Sequence, residues 1–261
     1  MKLRSLLYVP AHSERFVAKA HERGADGIIL DLEDSVPDAD KDKARDGLPQ
    51  SRAFVGRNGA AVFVRINSGA RQDADAGAAK SAHATGLVVA KADLGALDAL
   101  GSLGLPLIAM LESPAAILDA RDFARHKAVT GLIVGSEDLA TELGATPTPE
   151  VLRTPKLLVH YAAKAEGKLS LGLLRSVADY NDLSAIEAAA QEARQHGFDG
   201  ATCVHPSVIP VLNTAFAPSA DETAWAQRVI DAAKSGAGAF TVDGRMVDAP
   251  VIARARRILE G

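Results

Sequence analysis

Gly27-Ile28-Ile29-Leu30-Asp31-Leu32-Glu33-Asp34 begins as an unbroken apolar run and ends in three carboxylates. Consecutive apolar positions place apolar side chains on both faces of a strand, the pattern of a parallel strand covered on each side. The abrupt acidic end marks where that strand leaves the core. Similar short runs recur at 5–9, 61–66, 86–90, 105–110, 131–134, 169–173 and 200–204. Amphipathic, alanine-rich stretches at 13–23, 40–50, 114–125, 150–166 and 184–196 alternate with them and read as helices. Gly24, Gly131, Gly167 and Gly197 fall at the borders. Alternation of this kind predicts an α/β chain closed as a (β/α)8 TIM barrel, with a doubly wound open sheet as the alternative.

Beyond residue 204 the pattern changes. Pro206, Pro210 and Pro218 precede a helix expected at 221–234, a loop at 236–244 and a terminal helix at 249–259. The expected division is a barrel over 1–217 and a C-terminal helical extension over 218–261. That extension exceeds what a closed barrel needs, so it is expected to cap the barrel or contact a neighbouring subunit.

The bulk composition narrows the function classes. Apolar residues make up 48% of the 261 positions, enough for a sizeable core, and the formal net charge is −4. A chain of that charge lacks the electrostatic footprint of a nucleic-acid binder. Cys203 is the single cysteine, which excludes an internal disulfide and suits a reducing cytoplasm. The first apolar run is too short for a signal peptide, and no stretch has the length to span a bilayer. A cytoplasmic protein without nucleic-acid or membrane partners is expected.

In a barrel of this type, chemistry sits where the strands end. The second run ends in Asp31-Leu32-Glu33-Asp34, the third in Arg65-Ile66-Asn67 and the fourth in Lys91. The fifth ends in Glu112 and the sixth in Gly135-Ser136-Glu137-Asp138. Glu112 and Asp138 follow adjacent strands and form a hard-oxygen pair suited to Mg²⁺, although each also fits the acidic first turn of a helix. His12, His21, His83, His126, His160, His196 and His205 lack ligand-like spacing, which argues against zinc. Arg65 suits bidentate capture of a substrate carboxylate, or equally a structural ion pair with Asp31 or Glu33. Asp31 and Glu33 are expected to support the metal and Arg65 from behind. Lys91 raises the competing idea of a Schiff base, although such a lysine more often neutralises carboxylates. Cys203 reads as a small buried residue, and His205 before Pro206 as a loop-positioning one. Phosphate-loop and dinucleotide fingerprints are missing.

These segments together resemble the citrate lyase β-subunit-like group of the HpcH/HpaI aldolase family. The resemblance runs from Arg4-Ser5-Leu6-Leu7-Tyr8-Val9-Pro10 through Lys19-Ala20, Asp31-Leu32-Glu33-Asp34, Lys41, Ala44-Arg45 and Val64-Arg65-Ile66-Asn67. It continues through Glu112, Gly135-Ser136-Glu137-Asp138, Gly197-Phe198-Asp199-Gly200 and His205-Pro206. It closes with Phe216-Ala217-Pro218-Ser219 and Asp243-Gly244-Arg245-Met246-Val247-Asp248-Ala249-Pro250. The resemblance implies a (β/α)8 barrel, usually trimeric, with Mg²⁺ on Glu112 and Asp138 and the substrate carboxylate on Arg65. Gly135 and Ser136 would line the substrate, and Asp248 would enter the neighbouring subunit's site for proton transfer.

The implied reaction is retro-Claisen or aldol-type cleavage of a citramalyl, malyl or citryl thioester into an acetyl thioester and a keto acid. The thioester carrier would be CoA or acyl carrier protein, with Lys41 and Arg45 as candidate CoA contacts. Thioester hydrolysis in the same pocket and a non-catalytic carrier-protein-binding subunit are the alternatives. The chain departs from the family pattern at Ala90 before Lys91, at His12-Ser13, and across 171–179, where the usual aspartate-containing segment reads Leu-Gly-Leu-Leu-Arg-Ser-Val-Ala-Asp.

Overall fold

The computed structural model describes residues 2–178, 180–234 and 239–260. It divides into two compact units, Met1–Phe216 and Ala217–Gly261. The first carries eight parallel strands: β1 Ser5–Pro10, β2 Gly27–Asp31, β3 Ala61–Ile66, β4 Gly86–Val89, β5 Leu107–Leu111, β6 Val129–Val134, β7 Leu169–Leu171 and β8 Ala201–Cys203. Their order is β7-β6-β5-β4-β3-β2-β1-β8. The two ends meet through a parallel bridge between Leu171 and Gly200. At that seam Asp199 N–H donates to Ser170 O (2.9 Å) and Gly172 N–H to Gly200 O (2.8 Å). The sheet is a barrel, as the alternation predicts.

Period-2 alternation sorts each strand's side chains. Leu6, Ile29, Phe63, Val88, Ile108, Met110, Ile133 and Leu171 form one buried cluster, with Tyr8 packed against it. Leu7, Ile28, Leu30, Val62, Val64, Leu87 and Val89 belong to the other large cluster, which includes the helical residues Val17, Leu48, Leu97 and Val159. Inward residues therefore stack within the barrel and outward ones seat the helices. Each fully buried Leu or Ile contributes roughly 1.5–3 kcal/mol of transfer free energy.

Several borders differ from the sequence expectation for local reasons. The fifth strand starts at Leu107 instead of 105, because Pro106 has no N–H for a ladder; its carbonyl accepts from Leu87 N–H (2.9 Å). The helix expected at 40–50 is two helices, Lys41–Asp46 and Leu48–Val55, divided at Gly47. That at 114–125 breaks at Asp119, between Pro114–Leu118 and Ala120–Arg125.

The second unit contains the helices Ala220–Ala233 and Ala249–Glu260. A reciprocal capping box of Ser219 and Glu222 starts the first. The segment expected as a loop at 236–244 is partly a hairpin: β9 Phe240–Val242 pairs antiparallel with β10 Arg245–Val247. Its turn, Asp243-Gly244, has φ +50° and +75°, the left-handed pair that Asp-Gly favours between strands. Residues 236–238 of the expected loop lie outside the described residues, as does Asp179. Among the described residues no helix is long and apolar enough to cross a membrane.

Candidate functional site

The inward positions that place Leu6, Ile29, Phe63 and Met110 in the barrel place Tyr8, Asp31, Arg65 and Glu112 two residues further along, at the C-terminal rim. Asp31 and Arg65 are register partners across β2 and β3. Arg65 donates from Nε to Asp31 Oδ1 (2.7 Å) and from Nη2 to Oδ2 (2.6 Å), a two-pronged pair. Its Nη1 lies 2.9 Å from Glu33 Oε2 and 3.3 Å from Asp34 Oδ2. Asp31 also accepts from Glu33 N–H (2.9 Å) and the Ser35 hydroxyl (2.5 Å). Burial would raise the Asp31 carboxyl, but the Arg65 and Ser35 hydrogen bonds and the Arg65 charge outweigh it and hold it below the usual range. Desolvation of Arg65 is outweighed in turn by Asp31, so its pKa rises. The ion pair foreseen as one use of Arg65 is thus present, and Asp31 occupies the edge of the guanidinium best shaped for a carboxylate.

Glu112 follows β5. Helix capping there falls to Ser113, whose side chain accepts from Ala116 N–H, so Glu112 stays outside the helix and buried. Its Oε2 accepts the Lys91 backbone N–H at 2.5 Å. Lys91 holds that amide in place from a left-handed conformation, φ +47°, unfavourable for a residue with a Cβ. Gly135 leaves the space Glu112 fills: a Cβ there would fall on the Glu112 carboxylate. The helix Ser136–Leu143 begins next, without a side-chain cap, and carries Glu137 and Asp138 in its first turn. Ser136 is buried, whereas Asp138 is half-buried. Burial pushes the Glu112 carboxyl up to about 7; the Lys91 N–H opposes this, and the neighbouring charges of Asp138 and Glu33 add to it.

Lys91 reaches across the mouth. Its Nζ lies 2.6 Å from Glu33 Oε1 and 3.9 Å from both Asp34 Oδ1 and Asp138 Oδ2. Desolvation lowers its pKa, but the Glu33 hydrogen bond and the surrounding carboxylates prevail and raise it. A Schiff-base lysine needs the opposite shift. Burial raises Glu33 despite Arg65 and Lys91.

Two expected CoA contacts are engaged within the protein. Lys41 Nζ donates to Leu32 O (3.0 Å), Glu33 O (2.7 Å) and Asn67 Oδ1 (2.7 Å), which uses all three ammonium protons to brace the acidic loop. Arg45 pairs with Asp42 (2.8 Å) and Asp75 (3.4 Å). Asp248 lies in the second unit, half-buried, and its carbonyl accepts Ile252 N–H (3.0 Å) at the start of the terminal helix. Cys203 is buried and its thiol is pushed up to about 12, so it is no nucleophile. His205 stacks on Tyr180, with ring centroids 5.0 Å apart.

Sequence reasoning missed two members of the site. Tyr8 shares the mouth's inner wall, with the Arg65 guanidinium 5.0 Å from its ring centroid. Alternation from Leu6 was the signal for it. Asp75, almost fully buried, accepts from Asn67 N–H (3.0 Å) and Nδ2 (2.7 Å), fixing the residue behind Arg65. A lone acid between alanines on a helical stretch gave no such signal.

The rim thus gathers carboxylates from β2, β5 and the turn after β6 around two cations. Among the described residues no group of three or more His, Cys, Asp or Glu is arranged to hold a metal. Glu112 and Asp138 offer two hard oxygen donors whose mutual repulsion a dication would relieve, which fits an Mg²⁺ completed by water and substrate oxygens.

Comparison with known proteins gives this arrangement its context. The HpcH/HpaI aldolase/citrate lyase family matches residues 4–206. A citrate lyase subunit beta-like protein of Mycobacterium tuberculosis (strain H37Rv) is 34% identical, over 97% of this chain and 93% of that protein. A (3S)-malyl-CoA thioesterase of Cereibacter sphaeroides (strain ATCC 17029) is 34% identical, over 98% of this chain and 93% of its own. Among solved structures, M. tuberculosis CitE in complex with magnesium, acetoacetate and coenzyme A superimposes with a TM-score of 0.83 at 32% identity, covering 98% of this chain and 96% of that one. The M. tuberculosis citrate lyase beta subunit with oxaloacetate and magnesium gives 0.72 at 30% identity, over 83% and 98%.

Proposed function

We propose, from the premise that this chain belongs to the HpcH/HpaI aldolase/citrate lyase family, that it is a Mg²⁺-dependent carbon–carbon lyase. Its substrate class is a short β-hydroxyacyl thioester of citramalyl, malyl or citryl type, cleaved to an acetyl thioester and a keto acid. The observation that carries this reading is the convergence of Glu112 and Asp138 on one rim, with Gly135 leaving room for the Glu112 carboxylate.

Glu112 and Asp138 would hold the ion. When bound, Mg²⁺ supplies Lewis acidity to substrate oxygens and lowers the pKa of a hydroxyl among them. The chain's own groups do the rest. The backbone at Gly135 and Ser136 lines the acyl group. Asp31 and Glu33 keep Arg65 pointed into the mouth, where its one unengaged Nη2 hydrogen is available to a substrate carboxylate. As the C–C bond breaks, a base takes the proton of the β-hydroxyl, which becomes the keto oxygen, and the departing acetyl carbon takes up a proton from an acid. We assign that acid to the carboxyl of Asp248, delivered by a neighbouring copy in a homotrimer. The carrier is assigned to CoA, an assignment supported by the coenzyme A in the related M. tuberculosis structure. The engagement of Lys41 and Arg45 within the protein favours other groups for contact with it. We place the protein in the cytoplasm.

A thioesterase reading has its own support in the malyl-CoA thioesterase relative. Product analysis separates the two. Purified protein is incubated with malyl-, citramalyl- and citryl-CoA, with Mg²⁺ or with EDTA. Mg²⁺-dependent release of a keto acid is the expected result. An intact hydroxy acid with free CoA replaces the lyase by the hydrolase, and binding without turnover replaces both by a non-catalytic subunit. Unchanged turnover in both Glu112→Ala and Asp138→Ala overturns the site.

A further inference from the structure

Tyr8 is an inward residue of β1 and, among the described residues, the one aromatic group whose ring faces Arg65. Its ring packs on the barrel's inner aliphatic cluster below and meets the Arg65 guanidinium at 5.0 Å. The ring is therefore fixed on both sides, and the position of its hydroxyl follows. Among the described residues nothing hydrogen-bonds that hydroxyl. The charges of Arg65, Asp31, Glu112 and Glu33 all act on the phenol, so acceptors surround it at a distance, yet it donates to none of them. Tyr8 is half-buried and its hydroxyl is not among the buried polar atoms that lack a partner, so water can meet it in the free protein and a ligand oxygen can take that water's place.

The other donors at the rim are largely committed, apart from one Nη2 hydrogen of Arg65. Arg65 is engaged by Asp31, Glu33 and Asp34, and the Lys91 ammonium by Glu33 with Asp34 and Asp138 nearby. An anionic acyl group entering this mouth meets mostly oxygen atoms. It needs a neutral donor, one that does not itself have to be pulled from a carboxylate. The phenol fits: burial and the nearby carboxylates raise its pKa despite Arg65, so it keeps its proton.

We propose that Tyr8 is a substrate-binding residue whose phenolic O–H donates a hydrogen bond to a carboxylate or 2-oxo oxygen of the acyl group at the mouth. The inference rests on the site described under the proposed function, but its test does not depend on turnover. No bond is made or broken by Tyr8. The ring supports Arg65 and the hydroxyl selects for an acceptor oxygen beside it.

Tyr8→Phe removes the hydroxyl alone and keeps the ring, its packing and the Arg65 contact. Binding of pyruvate and of oxaloacetate to the Mg²⁺-loaded wild type and variant is measured by NMR titration, with Mg²⁺ affinity by calorimetry and the thermal midpoint alongside. The expected result is 2-oxo acid affinity reduced about 10- to 100-fold, the range for a hydrogen bond to a charged acceptor. Mg²⁺ affinity and the midpoint should stay unchanged. The exposed Tyr161→Phe serves as the control and should bind as wild type. Equal affinity in wild type and Tyr8→Phe overturns the assignment and leaves the lyase reading intact. Wild type that binds neither acid also overturns it, while absence of keto acid release by a protein that does bind them removes the lyase reading only.

Discussion

Gly135 and Glu112 divide one small volume between them: the position a Cβ would take at residue 135 is occupied by the Glu112 carboxylate. The turn after β6 and the end of β5 are locked together by this fit and by Gly135 N–H donating to Leu111 O at 3.1 Å. Gly135→Ala should expel Glu112 from its place without unfolding the barrel. Calorimetric Mg²⁺ affinity is expected to fall at least about tenfold, a cost of ~1.4 kcal/mol, with an unchanged circular dichroism spectrum. Wild-type affinity in that variant would show that Glu112 does not need this position.

The Asp31–Arg65 pair has a predictable stability cost. Asp31 is 1% exposed, so losing its charge strands a desolvated guanidinium. Asp31→Asn should lower the unfolding free energy by about 3 kcal/mol in denaturant titrations, as removal of one partner of a buried pair does. The folded-state pKa of Asp31 is depressed, so its contribution is present above the unfolded value near ~3.9 and is lost as pH falls through the lower folded one. The wild type should therefore lose more stability on acidification below pH ~4 than the asparagine variant. Parallel acid limbs would contradict this.

Lys156 gives a pH dependence of different origin. It is buried on the helix Pro149–Ala165, donates to Arg175 O (2.9 Å), and burial lowers its pKa to about 7, against a weaker upward pull from Glu137. The unfolded chain holds this proton up to about 10.5, so between these limits U binds more protons than N and stability rises with pH. The rise is at most ~1.4 kcal/mol per pH unit. Lys156→Met should be more stable than wild type near pH 7, with the advantage shrinking toward pH 10. A constant difference across that range would refute the shift.

Lys91 should not form an imine. Its ammonium is held protonated by Glu33, 2.6 Å away. Treating the protein with pyruvate and borohydride is expected to leave its intact mass unchanged. A stable adduct on Lys91 would restore the Schiff-base alternative.

Much of this architecture was legible in the sequence because buried parallel strands are written as short apolar runs. Gly27-Ile28-Ile29-Leu30 could hardly be anything else, and its acidic end located the rim. Borders were less legible where one residue decides them, as at Pro106, Gly47 and Asp119. The hairpin Phe240–Val247 was missed although Asp243-Gly244 is a turn signal, since its strands are only three residues each. In the site, the sequence placed Asp31, Arg65, Glu112 and Asp138 at strand ends but could not say which charges would pair. That Arg65 turns to Asp31 and Glu33, and that Lys41 braces the loop from behind, depends on distances across strands. The hydroxyl of Tyr8 was hidden because a tyrosine in an apolar run reads as core.

The strand order has a consequence for how the chain acquires its shape. The first strand made, β1, lies between β2 and β8, and β8 is the last of the barrel strands to leave the ribosome. Strands β1 to β7 can pair with their sequence neighbours as they emerge, but β1 keeps an open flank until Ala201–Cys203 arrives. Ring closure then has to bring together segments separated by nearly the whole unit, a slow event with a large loop entropy. An open edge on a nascent sheet is also where another chain can add on. Refolding should thus show a late phase reported by exchange protection of the β1–β8 amides, and substitutions in β8 should slow that phase more than those in β2 or β3.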